Sequence, residues 1–70
     1  MSIIHTATFR SFHQGVDVTL SMRQNGANYI VRCQPCGYPL RPEWDTSCAS
    51  LTEAESLYTT KFNIGMLGHP

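Results

Sequence analysis

The sequence is short of charge, and the charge it has is balanced. Five Lys+Arg stand against five Asp+Glu in 70 residues, for a formal net charge of zero. A chain with no net positive charge lacks the electrostatic term that carries most affinity for phosphate backbones. Apolar runs are short as well. None approaches the ~18 residues of a membrane span, and Met1 to Phe12 lacks the basic start and long apolar run of a secretory signal. No Gly-rich phosphate loop is present. Cysteine occurs three times, an odd number that excludes a complete disulfide framework within one chain. Reduced thiols or a metal site fit that count, and both point to an intracellular, cytoplasmic setting. The length suits one small domain over residues 1–70 and rules out a Rossmann unit, a barrel or an enzyme with a separate substrate domain. Residues 65–70 read as a flexible tail.

The neutral total hides an asymmetry. Residues 1–42 carry Arg10, Arg23, Arg32 and Arg41 against Asp17, a balance of +3. Residues 43–70 carry Glu43, Asp45, Glu53 and Glu55 against Lys61, a balance of −3. The cations of the first part are all arginine, which suits planar pairing with carboxylate or phosphate.

Val16 to Arg23 alternates apolar and polar residues without a break, the period of a half-buried strand. Asn25-Gly26 follows as a hairpin turn, and Tyr29 to Cys33 supplies the partner strand. A two-residue Asn25-Gly26 loop pairs Met22 with Tyr29, Leu20 with Val31 and Val18 with Cys33, all on one face. Ile3 to Arg10 reads as a strand before Val16. Pairing Ser11 with Val16 sets Phe9 beside Val18, Ala7 beside Leu20, His5 beside Met22, and Arg10 beside Asp17 as a cross-strand ion pair. Pro35 to Trp44 is an irregular connector, with Trp44 closing one edge of the core. Ser50 caps a helix from Leu51 with Glu53 completing a capping box, and Leu51, Ala54, Leu57, Tyr58 and Phe62 form its apolar stripe. Gly65 ends it. The expected fold is α+β: a three-stranded antiparallel sheet, order 1-2-3, with one C-terminal helix on one face (β-β-β-α).

The sharpest local motif is Arg32-Cys33-Gln34-Pro35-Cys36-Gly37-Tyr38-Pro39-Leu40. Two thiolates at this spacing reach one tetrahedral ion, and the Gly supplies the turn. The nine residues resemble the zinc knuckle, C-x-x-C-G, of zinc-ribbon and rubredoxin-like proteins. Those families add a second C-x-x-C, where this chain has Cys48 alone. The resemblance implies a structural zinc held by Cys33, Cys36 and Cys48. His13, in the turn at the Cys33 end of the sheet, is a better fourth ligand than His5 at the other end; His69 and Asp45 are further candidates.

The expected outer sheet face carries Thr6, Thr8, Thr19 and Ser21 around Arg10, Arg23 and Arg32, with Ile30 as its one apolar residue. Sheets that bind single-stranded RNA place aromatics there for stacking; here Phe9 and Tyr29 point inward. Nothing in the sequence assembles a nucleophile, base and oxyanion site. The reading that follows is a non-enzymatic protein-binding module, with Arg23, Arg32 and Arg10 as contact residues and a protein or nucleoprotein complex as partner. In size and layout the chain is similar to small phage-encoded inhibitors of host defence, of the anti-CRISPR type, which implies a viral inhibitor. The alternatives are a zinc-ribbon-like nucleic-acid-binding protein and a small thiol or redox protein. No membrane association is expected.

Overall fold

The structure is a computed structural model that describes residues 2–70; Met1 lies outside the described residues. Four antiparallel strands form one sheet, β1 (Ser2–Arg10), β2 (Asp17–Asn25), β3 (Asn28–Pro35) and β4 (Asp45–Cys48), in the order β1-β2-β3-β4. A 3-10 turn (Pro42–Trp44) leads into β4, and a single helix, α1 (Leu51–Leu67), follows it. The α+β class and C-terminal helix agree with the sequence, but the sheet has four strands rather than three. The fourth is Asp-Thr-Ser-Cys, which carries no apolar alternation of its own and is a strand only because β3 offers it a ladder.

The β1–β2 register is the expected one: Phe9 pairs with Val18, Ala7 with Leu20, His5 with Met22 and Arg10 with Asp17. An irregularity between Ile3 and His5 interrupts the ladder near its start. The β2–β3 register differs from expectation by two residues. Met22 pairs with Val31, Leu20 with Cys33 and Val18 with Pro35, because the turn residues are Gly26-Ala27 and Asn25 pairs with Asn28. Gly26 alone has positive φ, +62°, while Ala27 does not, the requirement of a type II′ turn. A shift of two keeps every side chain on its face, so hydrophobic patterning could not separate the two registers.

The core lies between the inner sheet face and α1. Val18, Leu20, Met22, Val31, Cys48 and Ala54 are buried. Phe9, Tyr29, Cys33, Leu57, Tyr58 and Phe62 pack against that cluster while partly exposed. Leu51, the first member of the expected stripe, is exposed. Phe9 meets Phe62 edge-on at 5.3 Å, and His5 meets Tyr58 at 5.6 Å.

The helix begins where the sequence places it. Ser50 Oγ accepts from the Glu53 N–H at 3.2 Å, and Glu53 Oε2 accepts from the Ala49 N–H at 3.3 Å. It does not stop at Gly65, however. It runs on to Leu67, and Gly68 caps it by donating its N–H to Ile64 O at 2.9 Å. Gly65 has a packing reason instead: a Cβ there would collide with the Phe9 ring. The Gly65 carbonyl accepts from Phe12 N–H at 2.7 Å, which ties the end of the helix to the β1–β2 turn.

Candidate functional site

The four antiparallel strands alternate their side chains between two faces, and α1 covers only one. Among the described residues no other element covers the outer face. Across it run rows set by the register: Thr6, Ser21, Arg32 and Asp45; Thr8, Thr19 and Gln34; and Ile3, Arg23, Ile30 and Ser47, where the exposed Ile3 is an apolar residue beside the expected Ile30. The Thr8 and Thr19 hydroxyls are hydrogen-bonded at 3.1 Å. Arg23 donates from Nη2 to Ser21 Oγ at 3.3 Å, so the serine is buried beneath the arginine although it points away from the core.

Arg32 and Arg23 are half-buried rather than fully exposed. Arg32 makes a bidentate pair with Asp45, Nε to Oδ1 at 2.7 Å and Nη2 to Oδ2 at 3.0 Å. The hydrogen bonds from Arg32 hold the Asp45 carboxyl below its usual range, and those to Asp45 raise the Arg32 guanidinium. Asp45, read from the sequence as a ligand candidate, is thus occupied. Its role was hidden because β4 was hidden: only the extra strand brings residue 45 opposite residue 32. Arg10 is exposed and stands opposite Asp17 in register, but it donates to Gly15 O at 2.7 Å.

The knuckle residues fare differently. β3 continues straight to Pro35 instead of turning after Cys33. Cys33 consequently lies on the inner face, partly packed against the core, while Cys36 Sγ sits 3.6 Å from the Thr19 hydroxyl on the outer face. Cys48 pairs with Tyr29, four residues along β3 from Cys33, which separates the two by roughly 13 Å. Among the described residues no three His, Cys, Asp or Glu side chains come together to hold a metal ion. As placed, Cys33, Cys36 and Cys48 do not converge on one point, and none of them is in a disulfide.

His13 and Cys33 do share a surface pocket of about 210 Å³ with Ser11 and Lys61. Burial pushes the Cys33 thiol up, and the nearby Lys61 offsets this only in part. A thiol held protonated is a poor nucleophile. His13 Nε2 lies 3.2 Å from Gly68 O, so its ring serves the turn-to-helix junction. Cys48 is raised in the same direction, by burial and then by Glu53.

Trp44 is half-buried, with the Arg41 guanidinium 6.0 Å from its ring centre. No helix among the described residues is long and apolar enough to cross a membrane. No known protein family matches the chain, and neither does any curated protein or solved structure.

Proposed function

We propose that this chain is a small, non-enzymatic protein-binding module that engages its partner with the outer face of its sheet. The observation supporting this reading is that an entire sheet face, set with hydroxyls, Arg23 and the half-buried apolar Ile30, has no covering layer. Hydroxyls and an arginine between two apolar side chains, Ile3 and Ile30, suit a moderately polar, acidic protein surface. Arg32 reaches the partner already paired with Asp45, so it contributes shape and hydrogen bonding more than charge. Arg23 and Arg10 are the cations to test.

The absence of aromatics from this face disfavours base stacking, and the separation of the three thiols gives the zinc-ribbon and dithiol readings no support. The size and layout similar to small phage-encoded inhibitors make a host nucleoprotein complex the first class of partner to try.

The test is capture from host lysate with immobilised protein. Arg23→Glu should lower recovery of the partner sharply, and recovery by the unchanged protein should fall with added salt. Glu55→Arg, on the exposed side of α1, should leave recovery unchanged. Equal recovery by the unchanged protein and by Arg23→Glu would move the contact off this face.

A further inference from the structure

The two edges of the sheet are not alike. Ser11 N–H donates to Val16 O at 2.8 Å. In an antiparallel ladder alternate residues turn both backbone groups to the same neighbour. Phe9, Ala7 and His5 therefore face β2, while Thr6, Thr8 and Arg10 present N–H and C=O away from it, where the sheet has no further strand. The same argument fixes the far edge. Cys36 N–H donates to Asp17 O at 2.8 Å, so β3 turns Tyr29 and Val31 to β4, and β4 turns Asp45 and Ser47 outward. That edge is only four residues long, and the Asp45 N–H is already bonded to Pro42 O.

β1 has no such protection over its regular part. It contains no Pro, Gly or Lys, and its one charge is Arg10. The ladder irregularity between Ile3 and His5 leaves Thr6–Arg10 straight. Edges of this kind are templates for another strand.

We propose that β1 pairs antiparallel with β1 of a second copy, with Thr8 on the two-fold axis. Thr8 then pairs with its own counterpart and Thr6 with Arg10 of the other copy, so all three outward-facing residues find partners, in about six backbone hydrogen bonds. A second copy suits this edge because the strand is self-complementary about Thr8 and its charges do not oppose the pairing. Each arginine faces a threonine, the two arginines stand roughly 13 Å apart, and that exceeds the screening length of about 8 Å at physiological salt. The chain is neutral overall, so no long-range repulsion opposes the approach. The regular part Thr6–Arg10 is symmetric about Thr8, so it can meet a second copy of itself in register over its full length. The product is a continuous eight-stranded sheet with two outer faces side by side.

The test is sedimentation equilibrium from micromolar to millimolar protein, joined to amide hydrogen exchange at both ends of that range. The unchanged protein should dimerise, and the amides of Thr6, Thr8 and Arg10 should gain protection as concentration rises while that of Ser47 does not. Thr8→Lys sets like charges face to face on the axis and should raise the dissociation constant roughly tenfold or more without altering the circular dichroism spectrum. Ser47→Lys should leave it unchanged. A monomer throughout the range, or a dimer in which those three amides exchange as in the monomer, would overturn the proposal.

Discussion

Leu20 and Thr19 are neighbours on β2, yet Leu20 is 0 % exposed beneath α1 while Thr19 is half-exposed among hydroxyls on the other face. The contrast holds along the whole sheet. The inner face is apolar, covered and packed on the helix stripe. The outer face is polar, uncovered and knitted by short side-chain bonds such as Arg23 to Ser21 and Arg32 to Asp45. In a chain this small one covered face supplies nearly all the hydrophobic stabilisation, so the other is under little packing constraint.

The largest expected effect sharpens that division. Leu20→Ala should cost roughly 2–5 kcal/mol in urea unfolding, against less than about 1 kcal/mol for Thr19→Ala. Equal losses would mean the faces are not divided as described. Next is Gly65→Ala on the inner side. Alanine should gain about 1 kcal/mol of helix propensity, but the Phe9 ring, held against Phe62, must move. The net loss should be about 1–3 kcal/mol, and Phe9→Leu in the same chain should recover much of it.

The third test lies on the outer side and depends on pH. Asp45 has its folded pKa lowered by Arg32. Its contribution is therefore fully present above the unfolded carboxylate value of about 3.9 and is lost as pH falls through the lower folded value. Asp45→Asn should cost on the order of 1 kcal/mol at neutral pH and should flatten that acid limb of a stability-against-pH curve. An unchanged acid limb would remove the pair as its cause. The smallest effect concerns the thiols. Cys36→Ser should alter the melting temperature by only a degree or two, as for an exposed site, and a chelator should not move it. A large drop in both experiments would show a structural metal.

The inner face was legible in the sequence because strand alternation and helix spacing both report burial. Val18, Leu20, Met22 and Val31 are where that pattern puts them. The β2–β3 register was not, since a slip by two residues leaves the pattern intact and only the positive φ of Gly26 in the first turn position distinguishes the two. β4 was invisible because its four residues have no periodicity of their own. That one omission also concealed the Arg32–Asp45 pair and made Arg32 look freely exposed. The C-x-x-C spacing did not by itself tell where its thiols lie, for a related reason. Spacing gives reach only if the chain turns between the ligands, and here the strand runs on to Pro35, so Cys33 and Cys36 fall on opposite faces. The helix stop at Gly65 failed because a glycine can be required by a neighbour's ring as well as by a turn.

The most direct test of the division between faces is methyl NMR of the protein with its captured partner. Side-chain methyls report one face each, which backbone signals do not. The account predicts that the methyls of Ile30, Thr8 and Thr19 shift or broaden on binding, while those of Leu20, Val31 and Leu57 hold their positions. Changes confined to Leu57 and its helix neighbours, with Ile30 and Thr19 unmoved, would contradict it.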